Sequence, residues 1–189
     1  CALIAEGLGW GKEEVEVIFW SSLMHDVGKL GIPDRILQKP GPLTPEERKV
    51  MELHTTIGGS ILKGSKAPVL EKSRVVALTH HEKFDGSGYP RGLKGEKIPV
   101  EGRITLLADV FDALSSKRVY KEAMPESEVL PILQGGRGTH FDPKILDVFL
   151  DRLGEARKIQ ERYSDREEDF DKLRNLGSPE ENSEESDRG

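Results

Sequence analysis

Apolar residues recur every three or four positions along most of this chain, which is the spacing of amphipathic helices. Between Val100 and Lys117, for example, Ile104, Leu107 and Phe111 fall on one helical face. Alternating apolar and polar runs between hairpin turns, which would indicate strands, are scarce. The sequence therefore predicts an all-α protein. The predicted helices are Glu13–Lys29, Leu43–Leu62, Val69–His81, Val100–Lys117, Glu126–Gln134 and Phe141–Tyr163.

The first of these helices is apolar almost all round in its middle, "VIFWSSLM". A helix of this kind is expected to be central and buried. Gly28, Gly31 and Pro33 are expected to end it. The preceding segment, Cys1–Trp10, resembles the later part of another helix.

Start signals mark two further helices. Thr44 can cap, Pro45 occupies the first helical position, and Glu47 completes a capping box. Asp142 followed by Pro143 marks the start of the last helix.

Two long segments lack helical spacing. Leu30–Leu43 holds three prolines, and Glu82–Pro99 is rich in glycine and holds two prolines. Long loops inside a compact domain are usually functional or disordered.

Composition limits the classes of protein to consider. The 189 residues suit one globular domain, and a single cysteine excludes a disulfide framework and favours the cytoplasm. No apolar run approaches the length of a membrane span, and no signal peptide is visible. Because the chain begins at Cys1 and not at Met, we expect a piece of a longer polypeptide, with a sensory or receiver domain upstream.

The negative charge is concentrated near the C-terminus. Glu155–Gly189 contains 12 acidic and 7 basic residues, so it carries five of the six net negative charges. The rest of the chain is nearly neutral, which permits an anionic ligand but does not indicate a DNA-binding or RNA-binding surface. We predict a catalytic domain over residues 1–153, a polar helical extension over 154–175 and a disordered acidic tail over 176–189.

Several potential metal ligands lie near the ends of predicted helices. There are five histidines: His25, His54, His80, His81 and His140. Asp26 follows His25 directly, and Asp109 lies in the apolar stretch "LLADVFDAL", where a buried carboxylate needs a partner. Histidine and aspartate are ligands of divalent metal ions.

Each of these residues has an ordinary structural explanation when it is taken alone. His54 could be a core histidine, Asp112 a surface charge and Asp26 a helix-end acceptor. Lys29 could be a lysine favoured by a helix C-terminus. Together they favour a site, because adjacent His80 and His81 point in different directions and can address two ions. Two ions can activate water and hold a phosphate.

The order of the motifs resembles the HD-GYP domain, a branch of the HD phosphohydrolases that degrades cyclic di-GMP. The matching stretches are "HDVGK", "MELHTTIG", "ALTHHEKFDGSGYPRGLKGEKIP", "GRITLLADVFDALSSKRVYK" and "GTHFDP". The resemblance covers residues 25–150 and implies a helical bundle of the HD phosphohydrolase type, with a metal centre inside it and a long GYP loop beside it.

The resemblance also implies roles for individual residues. The implied metal ligands are His25, Asp26, His54, His80, His81 and Asp109. Asp26 would bridge two ions and take part in catalysis, and Lys29 would act close to the attacked phosphate. The implied substrate contacts are Tyr89, Pro90, Asp112, Arg118 and Lys121. Glu82 receives no role beyond supporting the neighbouring ligands.

This chain departs from the family pattern in a few places. A further family ligand would fall ahead of Cys1, so a third metal site is not assessed. Val119 stands where proline is frequent, and His140 stands where glutamine is common. We interpret His140 as structural and not as a ligand.

The predicted function is a metal-dependent phosphodiesterase that hydrolyses cyclic di-GMP to pGpG, with further hydrolysis to GMP left open. Two divalent ions are expected, with iron or manganese preferred and zinc, nickel and magnesium left open. The alternatives are a non-catalytic cyclic di-GMP receptor and an HD phosphohydrolase for another nucleotide. A homodimer is also left open.

Overall fold

A computed structural model describes residues 1–116 and 123–163, and within these ranges the regular structure is helical, with no strand. This confirms the all-α class. Two short 3-10 helices cover Val27–Gly31 and Gly95–Lys97. The α-helices are α1 (Ala2–Gly7), α2 (Lys12–Ser22), α3 (Asp34–Leu37), α4 (Pro45–Glu52), α5 (His54–Ile61), α6 (Pro68–Thr79), α7 (Val100–Ser115), α8 (Glu126–Gly135), α9 (Pro143–Asp151) and α10 (Leu153–Tyr163).

The central element is α6, which contacts α2, α5 and α7. Its buried residues include Val76, which belongs to a core shared with α1, α2, α7, α8 and α9. Burial of this apolar surface is the main stabilising contribution to the bundle. The large buried side chains of the core are Ile4, Ile18, Val76, Ile104, Leu106, Leu107, Val129, Leu133, Phe141, Ile145, Leu146 and Phe149.

The prediction of a central helix over Glu13–Lys29 is wrong in two respects. Helix α2 ends at Ser22, and the chain then turns and enters a 3-10 helix. In addition, Phe19 and Trp20 are 46% and 50% exposed, so the middle of α2 is not buried all round. The apolar run predicted that these side chains are buried, but no neighbouring helix among the described residues covers Phe19 and Trp20 fully.

Two other predicted helices are each divided in two. Leu43–Leu62 forms α4 and α5, which meet at Leu53, and Phe141–Tyr163 forms α9 and α10, which meet at Arg152. The start signals are confirmed: the Thr44 hydroxyl accepts from the amide of Glu47, and the Asp142 carboxylate accepts from the amide of Lys144. Local caps therefore identified the helix starts, whereas the breaks followed from longer-range packing.

The chain divides into a unit Cys1–Ala156 and a unit Arg157–Gly189. Of the second unit, residues 157–163 are described, as the C-terminal part of α10. The predicted division at residues 153 and 175 stays a prediction, since residues 164–189 lie outside the described part. Among the described helices, none is long and apolar enough to cross a membrane.

Candidate metal centre

The segment after α2 carries the first candidate ligands. The chain leaves α2 at Ser22, and the Nδ1 of His25 donates to the carbonyl oxygen of Ser22 at 2.7 Å. The following 3-10 helix packs against α5. Gly28 permits this packing, because a Cβ there would overlap the carbonyl oxygen of His54 and the amide nitrogen of Gly58.

Asp26 lies at the centre of the candidate site, and its two oxygens face different groups. Its Oδ2 lies 2.5 Å from the Nζ of Lys29 and 3.3 Å from the Nε2 of His25. Its Oδ1 lies 3.4 Å from the Nε2 of His54 and 3.8 Å from the Nε2 of His80. Lys29 therefore reaches Asp26 from a 3-10 helix and not from the continued α-helix that the sequence predicted.

The second and third segments supply three histidines. His54 is the first residue of α5, His80 follows the last residue of α6, and His81 comes next. His54 and His80 are 1% and 0% exposed. Their Nε2 atoms lie 3.3 Å apart.

Main-chain contacts fix the orientation of these rings. The Nδ1 of His54 donates to the carbonyl oxygen of Met51 at 2.7 Å, and the Nδ1 of His80 lies 3.0 Å from that of Val76. A carbonyl oxygen only accepts, so the ring hydrogen resides on Nδ1 and Nε2 presents a lone pair. Metal-bound histidines in proteins are commonly held in this way.

A cation is required where these lone pairs converge. Among the described residues, no hydrogen-bond donor reaches the buried Oδ1 of Asp26. The ligand atoms of four residues lie within 4.8 Å of one another. A buried carboxylate oxygen beside two lone pairs is costly unless positive charge lies between them. The donor set therefore fits a divalent metal ion. The four residues are Asp26, His54, His80 and His81.

The protonation of the histidines supports this interpretation. Burial lowers the pKa of His54. Burial, together with the nearby His80 and His54, lowers the pKa of His81 to about 2. Neither imidazole is charged near pH 7, so neither supplies the missing cation. Burial would raise the pKa of Asp26, but hydrogen bonds from His25 and Lys29 hold it well below its usual range.

The remaining predicted ligands lie next to this cluster. The Nε2 of His25 is 3.9 Å from the Oδ1 of Asp109, which α7 brings to the site half-buried. Burial would lower the pKa of His25, but hydrogen bonding to Asp26 raises it above its ordinary value. His25 and Asp109 thus form a second group on the Oδ2 side of Asp26.

The predicted substrate contacts divide into two sets. The Tyr89 ring stacks on the His81 ring, with centroids 4.7 Å apart and planes at 26°, and a cis peptide bond joins Tyr89 to Pro90. Asp112 is exposed on α7, where it accepts from the hydroxyl of Ser116 at 3.0 Å. Arg118 and Lys121 lie outside the described residues.

The sequence did not reveal the main-chain acceptors that orient the histidines. The carbonyl groups of Ser22, Met51 and Val76 carry no side-chain signature, so no motif identifies them. The sequence pattern marks Gly28 only as a helix end. Its fixed place in "HDVGK", three residues after His25, was the available signal for its role in packing the site.

Comparison with known proteins identifies the family of the chain. A family model described as HD domain matches residues 1–145. The chain belongs to the HD domain family. This confirms the family expected from the motifs.

Relatives of this HD domain are phosphodiesterases by name. A cyclic di-GMP phosphodiesterase of Thermotoga maritima is 46% identical over 162 residues, which are 86% of this chain and 44% of the relative. A cyclic di-GMP phosphodiesterase response regulator of Xanthomonas campestris is also 46% identical, over 86% of this chain and 43% of its own length. A 3′3′-cGAMP-specific phosphodiesterase of Vibrio cholerae is 42% identical, over 87% and 32%. The chain thus spans less than half of each relative.

A solved structure shows the same fold. The crystal structure of a cyclic GMP-AMP-specific phosphodiesterase of Vibrio cholerae matches with a TM-score of 0.57 and 21% identity. The match covers 93% of this chain and 46% of that one. At this identity the match supports the fold of the HD domain alone.

Divalent ions are expected to stabilise the protein. At a free ion concentration 100-fold above the dissociation constant, binding adds about 2.7 kcal/mol to the free energy of unfolding. For a chain of this size, that raises Tm by roughly 5–10 °C. Thermal melts with manganese, zinc or a chelator measure the shift. His140→Ala should keep it and His54→Ala should lose most of it, whereas equal shifts in both variants would contradict the site.

Proposed function

We propose that this HD domain is a metal-dependent phosphodiesterase that hydrolyses cyclic di-GMP to pGpG, with further hydrolysis to GMP left open. The observation that carries the proposal is the convergence of Asp26, His54, His80 and His81 on a point where a carboxylate oxygen lacks a partner among the described residues. The names of the relatives from Thermotoga maritima and Xanthomonas campestris support the substrate.

The site is proposed to hold two ions that share Asp26. Its Oδ1 faces His54 and His80, and its Oδ2 faces His25. His81 would complete the first group, and Asp109 the second. Iron or manganese suits such mixed nitrogen and oxygen ligands, and zinc, nickel and magnesium are left open. When bound, the ions supply Lewis acidity toward phosphoryl oxygens and lower the pKa of water.

Lys29 is proposed to act on the phosphate beside Asp26. Its Nζ lies 2.5 Å from the Oδ2 of Asp26, and its side chain is 41% exposed, so it reaches both the site and incoming substrate. An ammonium group here can stabilise negative charge on the phosphoryl oxygens or protonate the leaving 3′ oxygen.

The substrate would be held on the open side of the site. Tyr89 and Pro90 form a wall beside His81, and Asp112 lies on the same helix as Asp109. Arg118 and Lys121 are proposed to contact the phosphates, because a ligand with two phosphates needs cationic partners.

A regulatory domain upstream is proposed as well. The relative from Xanthomonas campestris is named a response regulator, and this chain spans 43% of its length. That name supports a receiver domain before this HD domain in the full-length protein.

A second candidate substrate is the mixed dinucleotide 3′3′-cGAMP. Its support is the Vibrio cholerae phosphodiesterase named as specific for that nucleotide, which is 42% identical over 87% of this chain. Identity alone does not separate the two substrates, because the relatives named for each differ little in identity to this chain.

Turnover measurements on the purified full-length protein test the proposal. The protein is loaded with iron, manganese or zinc, its metal content is measured, and cyclic di-GMP, 3′3′-cGAMP and cyclic di-AMP are supplied in parallel. We expect fastest turnover of cyclic di-GMP, with pGpG as the first product, and chromatography shows whether GMP follows. Tight binding of cyclic di-GMP without cleavage by any metal form would overturn the proposed activity.

A further inference from the structure

A buried carboxylate follows the two histidines of the site. Glu82 is 0% exposed. Its Oε1 accepts from the amide of Arg91 and its Oε2 from the amide of Leu93, both at 2.8 Å. A buried carboxylate usually pairs with a cation, but here two main-chain donors satisfy one oxygen each. Glu82 therefore binds a segment nine to eleven residues further along the chain.

The bound segment, Arg91–Leu93, is the part of the GYP loop that follows the loop tip at Tyr89. Between Glu82 and Arg91 the chain passes through Gly88 and Tyr89. A Cβ on Gly88 would overlap the carbonyl oxygen of His81 and the amide nitrogen of Lys83, so the loop lies directly on the backbone of the histidine pair. The amide of Tyr89 also donates to the carbonyl oxygen of His81 at 3.2 Å.

The base of the loop is held separately. The amides of Phe84 and Asp85 donate to the carbonyl oxygens of His140 and Thr139, at 3.1 and 2.8 Å. The amide of Gly95 donates to the carbonyl oxygen of Phe84 at 2.8 Å. These contacts do not involve Glu82, so the base of the loop can persist when Arg91–Leu93 is no longer bound to Glu82.

The position of the Tyr89 ring at the loop tip depends on the Arg91–Leu93 segment. Tyr89 stacks on His81 and lies two residues before Arg91, whose amide Glu82 holds. One main-chain bond to His81 and the two bonds to Glu82 thus bracket the ring. Without the bonds to Glu82, the ring is held from one side only.

We propose that Glu82 is a positioning residue of the site, which holds the Tyr89 ring against His81 through the amides of Arg91 and Leu93. This rests on the proposed phosphodiesterase function. Glu82 acts through Tyr89, and it neither touches the metal ligand atoms nor the reacting phosphate. Its loss should weaken substrate binding more than it slows the chemical step.

Glu82→Gln is the first test. The amide keeps the size of the carboxylate but places an NH₂ group against one of the two main-chain N–H groups. We expect KM for cyclic di-GMP to rise about tenfold, with kcat and metal content within about twofold of wild type. Glu101→Gln is the matched control, since Glu101 is another buried carboxylate but pairs with Lys72; it should leave KM unchanged.

A double-mutant cycle separates positioning from general destabilisation. If Glu82 acts through Tyr89, then Tyr89→Ala should raise KM, and adding Glu82→Gln should raise it little further. Fully additive effects on KM, or a loss confined to kcat, would overturn the proposal. If Glu82→Gln does not fold, Glu82→Asp takes its place in the double-mutant cycle. Aspartate keeps the negative charge but is one methylene shorter, and the same effect on KM is expected.

Hydrogen exchange distinguishes this proposal from the proposed function. In Glu82→Gln, the amides of Arg91 and Leu93 should exchange at least about tenfold faster than in wild type, while those of Phe84 and Asp85 change little. If the wild type cleaves no nucleotide but exchange changes in this way, the function fails and the loop assignment stands. Unchanged exchange at Arg91 and Leu93 would overturn the assignment whatever the activity.

Discussion

An Asp26→Ala variant is expected to lose at least about 1,000-fold in kcat/KM for cyclic di-GMP, together with most of its bound metal. Among residues 1–116 and 123–163, Asp26 alone has two oxygens that face both proposed ligand groups: His54 and His80 on one side, and His25 on the other. Removing Asp26 leaves the lone pairs of the histidines facing one another, without the carboxylate that would bind an ion beside each group. Steady-state kinetics and metal analysis of the same preparation measure both effects.

Asp147→Ala is the matched control for this variant. Asp147 is exposed and pairs with Arg137 at 2.6 Å. Exposed ion pairs contribute little to stability, so turnover and metal content should match wild type. A receptor that needs no metal would show another pattern: no cleavage in wild type and equal nucleotide binding in Asp26→Ala. Loss of turnover with full metal content would restrict Asp26 to a role in the chemical step.

Gly28→Ala is expected to destabilise the protein and to weaken metal binding at the same time. The new Cβ would overlap main-chain atoms of His54 and Gly58, which cannot move away as the end of a flexible side chain can. Overpacking of this kind costs about 1–3 kcal/mol or more. Since the 3-10 helix after Asp26 must move away from α5, Asp26 and His54 should separate. Chemical denaturation and metal titration measure the two effects.

Gly154→Ala provides the comparison. Gly154 lies in α10, and a Cβ added there would meet no neighbouring group within 4 Å. Alanine at this position should therefore leave the free energy of unfolding unchanged or raise it by up to about 1 kcal/mol. If Gly28→Ala and Gly154→Ala behave alike in stability and metal affinity, the close packing of the 3-10 helix on α5 is not what assembles the site.

The sequence predicted best the helices whose faces pack along their length. Val69–His81 corresponds to α6, Val100–Lys117 to α7 and Glu126–Gln134 to α8, with ends that differ by at most two residues. In these segments the apolar spacing and the tertiary contacts agree, because one face of each helix is buried. Local pattern and global fold then favour the same structure.

The sequence failed where a distant backbone determines the local conformation. Helical spacing continues past Ser22, but the chain turns there because Gly28 packs against the backbone at His54, 26 positions away. No local pattern contains that contact. The same applies to Glu82, whose partners are amide groups and therefore have no residue type that a motif could specify.

The candidate site was predicted as a set of residues but not as a geometry. The family resemblance named His25, Asp26, His54, His80, His81 and Asp109, and the fold brings all six together. Their roles as ligands stay predictions until metal is measured. Opposed Nε2 atoms and a partnerless carboxylate oxygen are properties of the folded backbone, which composition and spacing do not encode.

The carbonyl groups that orient the histidines have an electrostatic consequence. Ser22 and Val76 lie in the last turns of α2 and α6, so the C-terminal ends of two helices converge on the site, whereas the end of α4 beside Met51 is offset by the start of α5 at His54. Each such end carries a partial negative charge of about half an electron. The bundle therefore attracts cations to this point and repels phosphates from it. On this basis, a bound ion would offset the negative charge at the site, and we expect metal loading to precede the binding of an anionic nucleotide.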